Sequence, residues 1–366
     1  MSDLLDPPII HMPEFVEGTW LNTAEPPTKA RLRGQVVLID FWDYTCVNCL
    51  RTLPYLREWH RRYQDKGLRI IGIHTPEFKF AGYESHVAAA IEALELPYPI
   101  LLDADHSMWT QYATRAWPTK FLIDSRGYVR YKRQGEGYYV QTEEAIQQLL
   151  RLRDPGVWLP GIMPPLQAED APGAVCFRTT PELYAGYQGG GLFGSALGNP
   201  EGYVTDGVMM YSLPDEEVRE EGQFFVEGFW RALPESLAFA GEDGGRIVLP
   251  YAAEGVNAVL SPSGDNVALM LDLWQGEREP LVEVRQDGSY LNMRIAGRDV
   301  WYDERGRRYL RITRPRMYEI VRNRAYESHE LELIVRARGI ALYAFTFNTC
   351  VAPRSRYRSQ DVFQRR

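Results

Sequence analysis

The sequence predicts an α/β domain followed by an all-β domain of the jelly-roll or β-sandwich type. Residues 35–150 alternate short apolar runs with helix-like segments, which is the pattern of an α/β layer fold with a partly parallel sheet. From about residue 174 the helical signal nearly disappears, and short alternating runs with turn residues between them follow. A length of 366 residues also favours two domains over one.

Apolar runs and turn residues predict each element of the first domain. Gln35–Trp42 is apolar and β-branched, as expected for a strand that is buried on both faces. Leu50–Gln64 has helical periodicity, and Gly67 provides a stop. The same reasoning predicts strands at Leu68–Ile73 and Ile100–Leu102, helices at His86–Leu94, Ser107–Ala113 and Thr142–Arg151, and a hairpin of Phe121–Ile123 with Tyr128–Arg133.

Short alternating runs predict the strands of the second domain. Asp287-Gly288 and Arg338-Gly339 each lie between two such runs and indicate hairpin turns. The expected strands are Phe224–Arg231, Ser236–Phe239, Arg246–Leu249, Val267–Leu273, Leu281–Arg285, Tyr290–Ile295, Tyr309–Ile312, Leu331–Arg336 and Ala341–Phe347.

Composition sets the expected domain boundaries. Proline and glycine cluster between residues 153 and 173, which predicts a linker. We therefore expect an N-terminal extension at 1–14, the α/β domain at 15–152, the linker at 153–173, the all-β domain at 174–353 and a basic tail at 354–366.

Charge and hydropathy exclude several classes of function. A net charge of −8 argues against general nucleic-acid binding. No stretch approaches the roughly 18 consecutive apolar residues of a membrane span, and the acidic, proline-interrupted N-terminus lacks the pattern of a signal peptide. We expect a cytoplasmic protein from the sequence as written, or an extracytoplasmic one if the true start lies upstream.

The sharpest motif is Cys46-Val-Asn-Cys49, which follows a predicted buried strand and begins a predicted helix. This placement indicates a redox-active dithiol, because the unpaired N–H groups and the positive dipole end of the helix stabilise the thiolate of the first cysteine. Cys49 lies over the same helical face, close enough to form a disulfide with Cys46. We expect Cys46 to be the exposed nucleophile and Cys49 the buried resolving thiol.

Other uses of these cysteines fit the spacing less well, although a purely structural pair remains an alternative. Haem attachment needs a histidine directly after the second cysteine, where Leu50 stands. A zinc ribbon needs a second close pair, whereas Cys176 and Cys350 are far apart in the sequence. We expect no metal and no cofactor. Whether Cys176 and Cys350 pair is left open, since they would stay thiols in a reducing cytosol and could bridge outside it.

Asp40 and Pro118 are candidate partners of the cysteine pair. Asp40 lies within the apolar strand, so burial should raise its pKa and allow it to exchange a proton with Cys49. Pro118 precedes a predicted strand and is a candidate cis-proline, whose neighbouring backbone, including Trp117, could pair with an extended substrate. The alternatives are a loop-capping aspartate and an ordinary trans-proline at the start of an edge strand.

Trp42 and Glu77 are weaker candidates for the same site. Trp42 follows the strand directly and is expected to shield the disulfide from water, with a core tryptophan as the alternative. Glu77 follows the second predicted strand and is expected at the edge of the active site, where it could influence proton transfer. A surface glutamate is its alternative interpretation.

Residues 15–152 resemble the thioredoxin superfamily, and within it the resA/TlpA-type thiol–disulfide oxidoreductases. The residues that stand in the family's order and spacing are Asp40, Trp42, Cys46, Cys49, Pro54 and Pro118. The resemblance implies a thioredoxin-like fold, thiol–disulfide oxidoreductase activity on the disulfides or dithiols of protein partners, and Cys46 and Cys49 as the exchanging pair.

Further segments resemble the C-terminal portion of DipZ-type proteins, in which a β-sandwich similar to a carbohydrate-binding module follows the thioredoxin-like domain. These segments are Asn48–Tyr55, His74–Phe78, Gly135–Gly137, Thr180–Tyr184 and Tyr343–Phe347. DipZ-type proteins carry a transmembrane electron-transfer region before this portion, and the sequence as given has none, so we expect a separate redox partner. The dipeptide Val47-Asn48 differs from the Gly-Pro of cytosolic thioredoxins, which leaves the direction of electron flow unassigned.

Two other functions stay open at this point. A peroxiredoxin-type thiol peroxidase needs a threonine three positions before its cysteine, but Asp43 stands there and Thr45 is adjacent to Cys46. A binding protein whose sandwich stacks a glycan would use exposed aromatic residues, although the same residues fit a sandwich core. The aromatic candidates are Trp230, Tyr251, Trp274, Tyr290, Trp301 and Tyr302.

Overall fold

The structure, a computed structural model, describes residues 4–177, 180–189, 196–262, 280–348 and 350–351. The predicted strand Val267–Leu273, the aromatic candidate Trp274 and the tail at 354–366 lie outside the described residues. Within the described ranges, no helix is both long enough and apolar enough to cross a membrane.

The first part of the chain alternates strands and helices, as its apolar runs predict. Its elements are β1 (Trp20–Leu21), α1 (Lys29–Leu32), β2 (Val36–Trp42), α2 (Val47–Tyr63), β3 (Leu68–His74), α3 (Glu84–Ala93), β4 (Ile100–Leu102), α4 (Ser107–Gln111), β5 (Thr119–Ile123), β6 (Val129–Gln134) and α5 (Tyr139–Arg153). Short 3-10 turns lie at Gln64–Lys66 and Lys79–Gly82.

These strands form a mixed six-stranded sheet in the order β1–β4–β3–β2–β5–β6. β3 is parallel to both β2 and β4, whereas β5 is antiparallel to both β2 and β6. Every residue of β2 is buried, because alternate side chains enter different cores: Leu38 packs with the α2 side, and Ile39 with the opposite side, which includes Met108 of α4. The central strand β2 therefore leads directly from the core to the cysteine motif.

The second part of the chain is built almost entirely of strands. They are β7 (Val175–Cys176), β8 (Leu183–Tyr184), β9 (Val208–Tyr211), β10 (Phe225–Ala232), β11 (Leu237–Phe239), β12 (Gly245–Ser261), β13 (Leu281–Gln286), β14 (Ser289–Tyr290), β15 (Val300–Tyr302), β16 (Arg308–Arg311), β17 (Arg316–Val335), β18 (Ala341–Asn348) and β19 (Cys350–Val351).

Two long strands, β12 and β17, organise this part. They pair with each other antiparallel over nearly their whole length, with irregularities near Gly255 that bend the pair. The first residues of β12 also pair with β10, and its last residues pair with β18. One strand thus joins two groups of strands around a shared apolar core, which is consistent with the predicted β-sandwich.

Several predictions of single elements need correction. Arg246–Leu249 and Leu331–Arg336 are only the ends of β12 and β17, because the pairing between these strands continues through polar residues. The predicted strand Tyr290–Ile295 is limited to Ser289–Tyr290. Arg338-Gly339 does form a turn, but β17 and β18 on either side of it both pair with β12.

The hairpin predicted at Asp287-Gly288 is confirmed. Gln286 of β13 pairs with Ser289 of β14, which leaves a two-residue turn. Asp287 and Gly288 both have positive φ angles, of 51° and 73°. Such turns match the twist of the paired strands, and glycine adopts this backbone without a steric penalty.

The predicted linker lies along α2 and α5. Met163 N–H donates to Glu143 at 3.0 Å, Leu166 N–H donates to the Tyr55 hydroxyl at 2.9 Å, and the Gln167 side chain donates to the Arg51 carbonyl at 2.7 Å. These bonds fix the segment against the first part of the chain. The domain boundaries given above stay predictions.

Cys176 and Cys350 form a disulfide, which answers the question that the sequence left open. Both lie in the two-stranded sheet of β7 and β19, directly opposite each other. The bond closes a segment with a sequence separation of 174 residues. It therefore ties the two ends of the β-rich part together.

Replacement of both Cys176 and Cys350 by serine is expected to lower the free energy of unfolding of the β-rich part by up to about 5 kcal/mol. A cross-link that spans 174 residues removes a large part of the chain entropy of the unfolded state. Urea denaturation of the two proteins under oxidising conditions measures the difference. The difference should disappear when both proteins are reduced with dithiothreitol; if it persists, lost packing and not the cross-link is responsible.

Candidate active site

Cys46 and Cys49 lie at the first turn of α2, where β2 leads into the helix. Cys46 is the N-cap residue, and its sulfur accepts a hydrogen bond from the Cys49 N–H at 3.2 Å. The two sulfur atoms are 2.6 Å apart and are not joined by a disulfide. The pair is thus arranged as the sequence predicted, in its reduced form, with the first sulfur facing the unpaired end of the helix.

Burial outweighs the helix N-terminus in setting the ionisation of both thiols. Cys46 is only 8% exposed and Cys49 only 1%. Burial raises the pKa of Cys46, and the nearby Glu77 raises it further, while hydrogen bonds with Cys49 oppose the rise. Burial also raises the pKa of Cys49 well above its usual value. Both cysteines are therefore thiols near neutral pH in this arrangement.

The expectation that Cys46 is exposed is wrong, because the β-rich part covers it. Tyr343 of β18 packs edge-on against Phe78 and Phe80, with ring centroids 5.3 and 4.7 Å apart. One hydrophobic cluster contains the cysteines together with residues of β12 and β18. The sequence motif alone does not reveal this cover, since it comes from residues some 300 positions further along the chain.

A buried carboxyl group and a buried amine lie beneath the cysteine pair. Asp40 of β2 and Lys120 of β5 are directly opposite each other and are 1% and 0% exposed. Burial raises the pKa of Asp40 to about 7, and the positive charge of Lys120 limits the rise. Burial lowers the pKa of Lys120, against the attraction of Asp40 and Cys49. The predicted rise of the Asp40 pKa is confirmed, so this group can change its protonation near neutral pH.

Lys120 is a site residue that the sequence analysis missed. The available signal was a lysine within the strand Thr119–Ile123, whose five residues are all buried. Its amine lies 3.4 Å from the Gly135 carbonyl, and the Asp40 Oδ1 atom has no hydrogen-bond partner among the described residues. The positive charge of Lys120 therefore stabilises an ionised Asp40 in this buried region.

Pro118 directly precedes β5, at the end of the sheet where β2 leads into the cysteine motif. The Trp117–Pro118 peptide bond is cis, as expected. The Trp117 indole N–H donates to the Thr75 carbonyl at 3.0 Å, and the ring packs against Trp109 with centroids 4.2 Å apart. The Thr119 hydroxyl closes the turn on the Ala116 carbonyl at 2.7 Å. These contacts hold the segment before β5 in one conformation.

Trp42 and Glu77 occupy different environments. Trp42 has no exposed surface and packs edge-on against His74, with ring centroids 5.0 Å apart. Glu77 is partly buried; its N–H donates to Asp43 at 2.7 Å, and its carboxylate accepts a hydrogen bond from Tyr184 at 2.5 Å. Burial, followed by the charges of Glu182 and Asp43, raises the pKa of Glu77. Glu77 is thus near Cys46, as expected, whereas Trp42 lies in the core.

Asp43 organises the loop that precedes the motif, a role that the sequence analysis did not assign. One of its carboxylate oxygens accepts hydrogen bonds from the N–H and the hydroxyl of Thr45, at 2.5 and 2.7 Å. The other oxygen accepts the Glu77 N–H. The aspartate therefore links the start of α2 to the segment after β3.

Four of the aromatic candidates in the described part of the chain fall into two different environments. Trp230 and Tyr251 are fully buried and belong to the sandwich core, as their interpretation as core residues predicted. Tyr290 and Tyr302 are exposed, but the guanidinium groups of Arg285 and Arg308 lie over their rings, at 5.2 and 5.3 Å from the centroids. One guanidinium group therefore already lies over each of these two exposed rings.

Two family models match the chain. Residues 12–132 match the AhpC/TSA family, and residues 180–348 match the thioredoxin like C-terminal domain. Protein DipZ of Mycobacterium tuberculosis is 36% identical over 253 residues, which cover 67% of this chain and 34% of DipZ. The chain therefore spans about a third of the length of this curated relative.

Shorter similarities cover the first part of the chain. The thiol-disulfide oxidoreductase ResA of Bacillus cereus is 30% identical over 118 residues, which cover 32% of this chain and 65% of ResA. A thiol-disulfide isomerase from Corynebacterium glutamicum, whose structure has been solved, is 20% identical in sequence. The match covers 38% of this chain and 96% of the isomerase chain, with a TM-score of 0.35.

The Asp40→Asn variant is expected to be more stable than the wild type above pH 7, by about 4 kcal/mol at most. The folded state holds the Asp40 proton with a pKa of about 7, against 3.8 for the ordinary side chain, so ionisation of Asp40 costs stability as pH rises between these values. Three pKa units correspond to about 4 kcal/mol, and this shift already includes the attraction of Lys120. Urea unfolding of the reduced proteins between pH 4 and pH 9 measures it.

The gain should shrink steadily as pH falls from 7 towards 4, because Asp40 is then protonated in the folded state and the pH approaches the pKa of 3.8 of the ordinary side chain. Asp65→Asn, at an exposed position, is the matched control for the effect of an added amide. A gain in stability that is the same at every pH would contradict the assignment of a buried, titrating carboxyl group to position 40.

Proposed function

We propose that this chain, which combines an AhpC/TSA-family domain of thioredoxin-like fold with a thioredoxin like C-terminal domain, is a thiol–disulfide oxidoreductase that exchanges its Cys46–Cys49 pair with protein partners. The observation that carries the proposal is the pair of sulfur atoms at the start of α2 above a buried carboxyl group that titrates near pH 7. This constellation supplies a nucleophile, a resolving thiol and a proton acceptor.

The reducing cycle begins when the Cys46 thiolate attacks a partner disulfide. The partner's S–S bond breaks, a bond forms between Cys46 and one partner sulfur, and the other partner sulfur leaves as a thiolate that takes a proton from water. Cys49 then attacks the Cys46 sulfur. The Cys46–Cys49 disulfide forms, the second partner thiolate leaves, and two electrons have passed to the partner.

Asp40 acts in the second step as the proton acceptor for Cys49. The Cys49 thiol is almost fully buried and its pKa is raised well above the usual value, so it needs a base within the protein to become a nucleophile. Asp40, with a pKa of about 7, is ionised in a large fraction of molecules at neutral pH. Lys120 favours that ionised form, since its charge lowers the pKa of Asp40.

We assign the contact with the partner chain to the segment around Trp117 and Pro118, with Glu77 at its edge and Trp42 beneath. An extended partner segment would pair with the backbone before β5, as in β-strand addition. The hydrogen bond from Trp117 to Thr75 and the turn closed by Thr119 support this assignment, because both fix that backbone in advance.

The peroxidase alternative has less support. The AhpC/TSA match covers the fold of residues 12–132, but position 43 holds an aspartate, and its carboxylate is engaged with Thr45 and Glu77. A resolving thiol within 2.6 Å of Cys46 also favours disulfide exchange. Consumption of hydrogen peroxide faster than reduction of a protein disulfide would reverse this ranking.

We infer that the protein works in an oxidising compartment and depends on a separate redox partner to renew its dithiol. The disulfide between Cys176 and Cys350 supports the first inference, since such bonds persist outside the reducing cytosol. The chemistry supports the second, because each cycle leaves Cys46 and Cys49 oxidised and two electrons must be returned. Glycan binding by the β-rich part has no specific observation in its favour.

The Cys46→Ser variant is expected to lose insulin-disulfide reduction, by a factor of about 1,000 or more, since the attacking sulfur is absent. Cys49→Ser should instead accumulate a mixed disulfide with insulin chains, because the second step lacks its thiol. Turbidity measures the activity, and non-reducing electrophoresis with mass spectrometry identifies the trapped species.

The double variant Cys176→Ser/Cys350→Ser is the control, because it removes two sulfur atoms outside the motif and leaves Cys46 and Cys49 in place. It should keep most of the activity. Full activity in Cys46→Ser would refute the catalytic assignment, and an adduct on Cys49 in place of Cys46 would reverse the two roles.

The Cys46–Cys49 couple is expected to be a reductant, with a potential nearer to the roughly −270 mV of thioredoxin than to the roughly −120 mV of DsbA. An oxidant of the DsbA type owes its potential to a stabilised thiolate, whereas burial and Glu77 raise the pKa of Cys46 here. Equilibration with glutathione buffers, followed by thiol labelling and mass spectrometry, measures the potential. A value close to that of DsbA would contradict this expectation.

A further inference from the structure

The C-terminal domain places two of its own side chains at the redox site. Tyr184 lies in β8, at the edge of the second sheet, and Glu182 precedes it at the solvent-exposed margin. The Tyr184 ring lies 6.2 Å from the Phe78 ring, centroid to centroid, and its hydroxyl reaches Glu77 of the first domain. Glu77 and Glu182 both act on Cys46.

The Tyr184 hydroxyl lies between two carboxyl groups. Its oxygen is 2.5 Å from Glu77 Oε1 and 2.9 Å from Glu182 Oε2. A phenolic hydroxyl has one proton and can donate to only one of them. The second contact is a hydrogen bond only when the other carboxyl group carries a proton and donates it to the tyrosine oxygen. The three groups therefore form one cluster, in which the tyrosine hydroxyl can donate to either carboxylate.

The charged and titratable groups around this cluster come from several elements. Cys49 faces Cys46 from α2, Asp43 faces Glu77 from the loop before α2, and Arg314 faces Tyr44 from the segment before β17. His74 accepts the Tyr44 N–H at 3.4 Å, and burial lowers its pKa, so it is neutral. Among the described groups outside its own helix, the two glutamates act most strongly on the Cys46 thiolate.

We propose that Glu182 and Tyr184 are positioning residues of the redox site: Tyr184 holds Glu77 beside Cys46, and the negative charges of the two glutamates oppose formation of the Cys46 thiolate while the domains are docked. The inference rests on the proposed function and deepens it. The β-rich domain sets the pH range in which the nucleophile is active, in addition to covering it.

The test measures how fast iodoacetamide alkylates Cys46 in the reduced full-length protein between pH 6 and pH 11.5, because the raised pKa of Cys46 places the midpoint in the alkaline part of this range. Mass spectrometry of the Cys46 peptide gives the rate at each pH, and the curve yields a midpoint and a plateau. Glu182→Gln should lower the midpoint by about half a unit and raise the rate at pH 7 about threefold, since one unit corresponds to tenfold. Tyr184→Phe should also lower the midpoint, because Glu77 then loses a hydrogen bond that favours its charge.

Glu235→Gln is the matched control. Its carboxylate accepts the Lys79 N–H at 2.9 Å in the same interface between the domains, and it is not among the groups that act on Cys46. Its midpoint should equal that of the wild type. An equal shift in Glu235→Gln would overturn the proposal, because any loosening of the interface would then produce the effect.

The two parameters of the curve separate charge from access. Loss of a negative charge moves the midpoint, whereas better access to the sulfur raises only the plateau. A raised plateau with an unchanged midpoint in both Glu182→Gln and Tyr184→Phe would overturn the proposal and leave these residues as ties between the domains.

Failure of the underlying function gives a different result. If Cys46 and Cys49 of the wild type do not cycle between disulfide and dithiol in glutathione buffers, the oxidoreductase assignment fails, whatever the midpoints are. If they cycle and the midpoints of both variants equal that of the wild type, only the role of Glu182 and Tyr184 is refuted.

Discussion

The removal of two thiols from water is the constraint on which the rest of the site depends. A helix N-terminus favours a nearby negative charge by about 0.3–1 kcal/mol, rising to about 2 in partly buried geometries, whereas burial of an ion costs several kcal/mol. Cys46 lies at such an N-terminus but is 8% exposed, so the second effect dominates. Both thiols are consequently neutral while the two domains are docked. Ionisation of either thiol therefore requires a neighbouring group that accepts its proton or stabilises its charge.

Within the core, Asp40 and Lys120 assist the ionisation of Cys49, and their burial lowers the stability of the fold. An ionised carboxylate at a position 1% exposed is tolerated because an ammonium group lies opposite it on the next strand. Lys120 is attracted to both Asp40 and Cys49, so one positive charge stabilises the ionised form of each group in the proton transfer. Selection for activity explains such a pair better than selection for stability, since an apolar pair of similar volume would pack at least as well.

Local sequence patterns predict the secondary-structure elements of this fold well, but they predict its long-range contacts poorly. The strand β2, the cysteine motif and Pro118 carry their own signals: an apolar run interrupted by Asp40, a spacing of three residues and a proline before a strand. The long strands β12 and β17 do not, because a glycine and several charged residues interrupt their alternation. The contact of Tyr184 with Glu77 joins residues 107 positions apart, and no periodicity encodes it. The burial of Cys46 follows from such contacts, which is why the motif suggested an exposed sulfur.

The cover over the site and the charge within it are linked by thermodynamics. If the docked C-terminal domain disfavours the Cys46 thiolate, then formation of the thiolate must weaken docking by the same free energy, since the two equilibria share one cycle. The aromatic packing of Tyr343 against Phe78 and Phe80 does not depend on protonation. The hydrogen bonds between Tyr184 and the two glutamates do depend on the protonation of the carboxyl groups. The interface therefore combines a constant apolar part with a polar part that responds to ionisation at the sulfur. Formation of the Cys46 thiolate therefore also weakens the contact between the domains that covers Cys46.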